Sequence, residues 1–269
     1  MIKLYTFTFN KIDFIELQYR SFQKYLKEDF IFTVFNNAAF GQERAGGNYD
    51  KINAECRRLG IPVLDIQFDQ KTANDCQAME TAIRVFNSGG SYTCANVAHA
   101  YAFYWAWKNV ISKDKDPVCI LDFDMFMVSP TKLTDRLKDH EMCFVPQGKP
   151  NLPADYIWPG FVLFDMSKLP EPETMNWWCG SINGSAVDVG GHTCLYLAAH
   201  PELRTARVAF QHTEDNPELD FHPSDYQFLT LEKEPVFLHY YRGSNWHGLS
   251  NDYHEKKTNW LKKQLNLEA

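Results

Sequence analysis

Two carboxylates, Asp122 and Asp124, sit two residues apart in an apolar run that reads PVCILDFDMFMV. On one continuous strand, residues i and i+2 share a face, so both acids would point the same way. Like charges that close raise each other's pKa unless a cation bridges them. An oxygen-rich pair of this kind suits Mg2+ or Mn2+, which keeps positions open for phosphate oxygens. In open α/β sheets, ligands bind beyond the carboxyl ends of the strands, where this pair falls. The same two acids would also serve simply to lead a strand out into solvent.

Three further places could carry chemistry. His239 closes the apolar stretch VFLHYY and precedes Arg242 and Gly243. It is either a metal ligand or a half-buried structural histidine. Arg242 offers a donor fork and Gly243 a bare backbone, and a diphosphate could approach both. Asp188 stands in AVDVGGHT, before a glycine pair that opens a helix. There it could orient or deprotonate a substrate hydroxyl, or serve as a helix cap or turn acid.

The elements that must hold these residues can be read from pattern. IKLYTFTF alternates as a first strand, and Asp13 could cap a helix reaching about Leu26. DFIFTVFNNA is a second strand. A helix over about 48–59 stops at Gly60, and IPVLDIQF is a third strand. This β-α-β-α-β opening implies a parallel sheet with helices on its faces. After Gly89-Gly90 a long helix runs from about Thr93 to Val110, and the acid-bearing strand 117–128 follows. A short helix over about 131–139 and the strand EMCFVPQ come next. From 150 to 190 one strand stands out, GFVLFDM. A helix fits 191–199, then the strand VFLHYY, then a polar helical tail over 253–266. With no repeat or low-complexity linker, the chain reads as a single α/β domain: 1–130 a first half, 131–250 a loop-rich second half, 251–269 a C-terminal helix.

Composition narrows the function classes. The chain has 269 residues, 45% of them hydrophobic and 23% charged, which suits a globular domain with a sizeable core. A formal net charge of -7 argues against a nucleic-acid binder, which needs a basic stripe to neutralise phosphates. Seven cysteines with no CxxC pair point to buried thiols in a reducing compartment. The N-terminus lacks signal-peptide character and no 18-residue apolar run occurs, so a cytoplasmic protein with no transmembrane segment is expected. Asn183-Gly184-Ser185 is a formal glycosylation sequon that chance explains in such a chain.

The segment ILDFDMFMVSP resembles the metal-binding DxD segment of GT-A nucleotide-sugar transferases. WPGFVLFDMSKL resembles the glycine-containing strand that follows it in those enzymes. FLHYYRGSNW resembles the C-terminal His- and Gly-containing segment of the retaining branch, similar to glycogenin and bacterial galactosyltransferases. The likeness spans roughly residues 1–248. It implies a Rossmann-like GT-A fold that binds a UDP- or GDP-sugar with Mn2+ or Mg2+ and transfers a hexosyl group to a glycan or other hydroxyl acceptor. Asp122 would face the donor ribose and the metal, and Asp124 and His239 would complete the metal site.

The ends of the first two strands would hold the nucleobase through Thr6, Thr8, Asn10, Asn36 and Asn37, with Phe7 or Phe9 stacking on it. The helix that carries Asn96 and His99 would reach the ribose or diphosphate, although His99 also reads as a core residue. Two departures stand out. Ser244-Asn245-Trp246 replaces Lys-Pro-Trp, which leaves Arg242 or His247 to meet the diphosphate. Trp158-Pro159-Gly160 replaces Asn-Ser-Gly beside the donor sugar. Retention is slightly favoured over inversion, for which Asp188 would be the base.

Two other classes stay open at this point. A haloacid-dehalogenase-like phosphohydrolase would use Asp122 as nucleophile and Asp124 as acid/base. Such enzymes carry the motif near the N-terminus with a small hydroxyl residue after it, whereas here Met125-Phe126 follows. A non-catalytic sugar-binding module, built on the 15% aromatic content, would not need two same-face acids at a strand end.

Overall fold

The computed structural model describes residues 1–38, 47–66, 94–212, 227–231, 234–240, 243 and 250–265. The chain opens with β1 (Ile2–Thr8), α1 (Ile12–Tyr25), β2 (Phe30–Asn36), α2 (Asn48–Leu59) and β3 (Val63–Asp65). Helix α3 (Cys94–Asn109) leads into β4 (Pro117–Asp122), followed by β5 (Met125–Met127), β6 (Met142–Gln147) and β7 (Tyr156–Asp165). Next come β8 (Gly180–Ile182), β9 (Ser185–Val187), the short helix α4 (Thr193–Ala199), β10 (Thr205–Arg207) and β11 (Ala209–His212). Strands β12 (Gln227–Leu231) and β13 (Glu234–His239) and helix α5 (Asn251–Gln264) complete the described elements.

A seven-stranded sheet in the order β10-β6-β7-β4-β1-β2-β3 forms the centre. Pairings β1–β2, β1–β4, β2–β3 and β10–β6 are parallel. Strand β7 alone opposes its neighbours, β4 and β6. The loop between β6 and β7 is too short for the crossover of a dozen or more residues that a parallel pair needs. Expected to begin at Gly160, β7 in fact begins at Tyr156. The architecture is therefore mixed α/β with a mostly parallel central sheet, as the opening pattern predicts.

The central strand explains its own composition. Val118 and Ile120 pack on one face, in a core with the apolar helix α3, including Phe103 and Trp107. Cys119 and Leu121 pack on the other face, with Ile15 and Phe22 of α1. A strand covered on both sides reads as a continuous apolar run.

That run is not one strand, however. The chain turns at Phe123–Asp124, and Met125 opens β5, which belongs to a second, antiparallel sheet ordered β11-β12-β13-β5. The apolar text continues because both sheets are buried, which hides the turn from any reading of hydrophobicity.

Smaller differences have similarly local causes. Lys11, not Asp13, is the residue before α1, with no side-chain cap; Asp13 lies in the first turn, where a carboxylate suits the helix dipole. Helix α2 stops at Gly60, whose φ of 66° ends a helix without Cβ strain. The helix expected over 131–139 is a five-residue 3-10 segment, Leu133–Leu137. The sequon is a hairpin turn: Asn183 (φ 50°) and Gly184 (φ 81°) join β8 to β9, the pair of positive φ values that an Asn-Gly hairpin needs.

Candidate metal centre

The turn at residues 123–124 is what builds the site. Asp122 ends β4 in the large sheet, and Asp124 immediately precedes β5 in the small one. His239 ends β13 directly opposite Met125. The two acids and the histidine thus meet where the sheets join, not on one pleated face. One ligand atom from each of Asp122, Asp124 and His239 lies within 4.8 Å of the others, a grouping that could hold a metal ion.

Several interactions hold this junction in place. The buried Gln18 of α1 donates from Nε2 to the carbonyls of Asp122 and Met125, both at 2.8 Å. One helix side chain therefore satisfies a backbone acceptor on each side of the turn. The Tyr240 N–H donates to the Asp124 carbonyl at 2.9 Å. The Gly243 N–H donates to Asp124 Oδ2 at 3.2 Å. A Cβ at Gly243 would lie 2.6 Å from that same oxygen. This glycine is thus required by Asp124, a different close approach from the diphosphate contact expected of it.

Helix α5 supports the strand end from behind. Lys257, fully buried, donates from Nζ to the Tyr240 carbonyl and sits 3.9 Å over the Tyr240 ring. His254 Nδ1 lies 3.3 Å from Tyr240 Oη.

Electrostatics divide the two acids. Burial pushes Asp122 up to about 7, with the Asp124 and Asp188 charges adding to the rise and His239 opposing it. Burial pushes Asp124 the same way, but His239, Lys257 and the Gly243 N–H outweigh it and hold Asp124 below the usual carboxylate range. His239 Nε2 is 3.4 Å from Asp124 Oδ1. On the other flank, His99 Nε2 is 3.9 Å from Asp122 Oδ1. Burial lowers His99 to about 4, so its imidazole is neutral at pH 7. Asp122 and His99 keep 18% and 28% of their side chains accessible, yet burial dominates both shifts.

Asp188 is near enough for its charge to act on Asp122. It accepts the Val189 N–H at 2.8 Å, and burial raises its carboxyl against the opposing pull of that bond and of Lys149. It does not cap α4, whose first residue is Thr193 after His192. The helix-cap reading of Asp188 is thereby removed, but it does head a turn, its carbonyl accepting the Gly191 N–H at 2.8 Å.

The expected nucleobase contacts fare differently. Thr6, Thr8 and Asn36 are fully buried. Asn36 spends its amide on Tyr49 O (3.0 Å), Asn53 Oδ1 (3.2 Å) and the Ala38 N–H (3.1 Å). These three present no surface to a ligand: Thr6 and Thr8 lie within β1, between β2 and β4 at the centre of the sheet, and Asn36 is covered by α2. Phe7 is stacked between Phe35 (4.9 Å) and Phe103 (4.0 Å) in the core and cannot stack on a base. Asn10, in the bend after β1, is partly exposed. Trp177 is a core residue. Asn96 lies on α3, with its side chain outside the described residues, as are Arg242 and residues 244–249.

Sequence reasoning missed Gln18 and the true role of Gly243. The first carries no local signal, because its partners are over a hundred residues away. The second was visible only as a glycine near a histidine.

No family model and no curated protein matches this chain. Among solved structures it is similar to galactosyltransferase LgtC in complex with donor and acceptor sugar analogues. That likeness has 14% identity over 62% of this chain and 59% of the other, with a TM-score of 0.38. It is similar to core-mannan synthase A from Aspergillus fumigatus in its Mn/GDP form: 9% identity, 64% and 62% coverage, TM-score 0.42. It is also similar to the mannosyltransferase PcManGT from Pyrobaculum calidifontis in complex with GDP-Man and Mn2+: 9% identity, 77% and 54% coverage, TM-score 0.36. The matched regions span less than two thirds of each of those chains. Superpositions this loose leave the functional reading to the residues themselves.

Proposed function

We propose that this chain is a divalent-metal-dependent glycosyltransferase of the GT-A type, moving a hexosyl group from a UDP- or GDP-sugar to a hydroxyl of a glycan or other acceptor. The observation that carries the proposal is the Asp122, Asp124 and His239 cluster at the carboxyl end of β4 in a mostly parallel sheet. The donor set fits Mn2+ or Mg2+: two carboxylates and an imidazole, with Gly243 kept bare so that Asp124 can sit where it does. When bound, the ion neutralises charge on the departing diphosphate. Asp124, tied to His239 and Gly243, would hold it. Asp122 would add its carboxylate from the His99 side. Asp188, whose charge acts on Asp122, would face the reacting sugar and the acceptor hydroxyl.

A phosphohydrolase is less well supported. It would need Asp124 free to pass a proton, whereas its two oxygens are engaged by His239 and the Gly243 N–H. A passive sugar-binding module would have no use for a cluster of this composition. The proposal includes retention, supported by the likeness of the segment around His239 to the retaining branch. It also includes a reducing, cytoplasmic setting, supported by five buried free cysteines among the described residues. Among those residues no helix is long and apolar enough to cross a membrane.

Calorimetric titration of UDP and GDP in the presence of Mn2+ tests the assignment. Binding is expected for one of them, is expected to need the metal, and is expected to vanish in Asp124→Ala. Affinity undiminished in that variant would overturn the metal site. The anomeric configuration of the product, read by proton NMR, tests retention; an inverted product would make Asp188 the general base.

A further inference from the structure

The indole of Trp158 lies beside the candidate metal ligand in an unusual way. On β7, Trp158 and Gly160 are two residues apart. A Cβ built at Gly160 would sit 2.0, 2.2 and 2.4 Å from Cη2, Cζ2 and Cζ3 of the indole. Three atoms of the six-membered ring at nearly equal distance mean that the ring lies face-down on the glycine. A glycine inside a buried strand weakens it, so its presence here is explained by the ring it admits.

Two other aromatic groups hold the indole in that pose. Phe210 meets it nearly edge-on, with centroids 4.8 Å apart at 82°. The His239 imidazole meets it at 5.3 Å and 62°. Phe210 and His239 are themselves 5.6 Å apart. Trp158 therefore has one face on Gly160 and two aromatic neighbours steeply inclined to it, and it is still partly exposed.

We infer that the outer face of Trp158 is a platform for the pyranose ring of the donor sugar, stacking against its apolar C–H face. This rests on the glycosyltransferase reading above. An ion held by His239 would bind the diphosphate, and the transferred sugar is joined to that diphosphate through a single oxygen. The sugar must then lie within about a ring's width of the imidazole, which is where the indole is. A rigid aromatic face gives contact area at little entropic cost and selects a sugar by the pattern of its axial C–H and hydroxyl groups. At this place the chain thus reads its substrate by shape and apolar contact instead of by hydrogen bonds.

The test compares ligands with and without the sugar. Titrations in Mn2+ would use UDP, GDP, UDP-glucose, UDP-galactose and GDP-mannose against wild type, Trp158→Ala and Trp158→Phe. Trp158→Ala is expected to weaken the sugar nucleotide that wild type binds by about tenfold, roughly 1.4 kcal/mol. It is expected to leave the parent diphosphate within about twofold. Trp158→Phe, which keeps a ring and guards against a misfolded alanine variant, is expected to recover most of the loss. Tryptophan emission gives a second readout: it should respond to the sugar nucleotide more than to the diphosphate, and that difference should disappear in Trp158→Phe. Equal weakening of both ligands would mean that the ring only packs against His239, and would overturn the inference, as would an unchanged affinity for the sugar nucleotide. If wild type binds none of these ligands with Mn2+, the glycosyltransferase reading itself fails and the inference falls with it.

Discussion

Gly243→Ala is the sharpest perturbation available, because it adds one methyl group against one metal-ligating side chain. The backbone there is not in the left-handed region, so alanine brings no conformational strain of its own. Its Cβ would stand 2.6 Å from Asp124 Oδ2, 2.8 Å from Asp124 Cβ and 3.1 Å from Cγ. Restoring ordinary contact at 3.4 Å needs a shift of about 0.8 Å. Asp124 has little room to yield, since the Tyr240 N–H holds its carbonyl and Gln18 holds the turn on both sides. Tyr240, three residues before Gly243, has its carbonyl held in turn by Lys257.

Functional sites tolerate about 0.5 Å of misplacement, and about 1 Å can cost roughly 100-fold in rate. Mn2+-dependent nucleotide affinity is therefore expected to fall at least about tenfold, and kcat/KM by about 100-fold. Overpacking should cost about 1–3 kcal/mol of stability, at roughly 2–4 °C of Tm per kcal/mol for a chain of this size. Calorimetry, steady-state kinetics and a melting curve on one preparation separate these effects. An alanine variant that binds Mn2+ and nucleotide as tightly as wild type would refute the claim that Gly243 is there for Asp124.

Asp188→Asn should keep the Val189 N–H bond and the fold while turnover drops at least ~100-fold; an early-melting variant with normal turnover would make the residue structural. Gln18→Met leaves two carbonyls at the turn without their donor, and should cost about 2–4 kcal/mol in denaturant unfolding at about 1–3 kcal/mol for the first such loss, together with metal affinity. His254 gives a pH prediction. Burial, then Lys11 and Lys257, lower it to about 4 in the fold, against about 6.5 in an unfolded chain. Between those values the unfolded state binds the extra proton, so stability falls as pH drops from about 6.5 toward 4. His254→Gln should flatten that part of the Tm-versus-pH curve, and an unchanged slope would exclude His254 as its source.

The parts of the molecule that were legible are those whose causes are local. Alternation marked β1 and β2, Gly60 marked the end of α2, and a doubly buried strand announced itself in Val118 to Leu121. What stayed hidden depends on partners distant in the chain. The break between β4 and β5 leaves no trace in hydropathy, because Met125–Met127 is as apolar as the strand before it and merely changes sheet. The two acids were correctly paired, but on the wrong geometry: a turn brings them together, not a shared strand face. Thr6, Thr8 and Asn36 were read as ligand contacts from polarity at strand ends, yet burial decides the matter, and burial is a property of the assembled sheet. The Asn-Gly hairpin at Asn183-Gly184 was readable from its dipeptide and was passed over as a sequon.

The meeting of two sheets at Asp124 has a consequence for how the protein reaches its working state. Gly243 and Asp124 are 119 residues apart in the chain. Closing a loop that long costs entropy before its contacts stabilise anything, as does the β1–β4 pairing over a similar span, and both slow the folding of the whole domain. During synthesis the parallel sheet could order itself around β4 while β13 and α5 were still to be made. Such a chain would carry the two acids but not the histidine. Ion capture would then coincide with the docking of the last-made segment. By mass action a bound ion would stabilise that final docked arrangement over any earlier one.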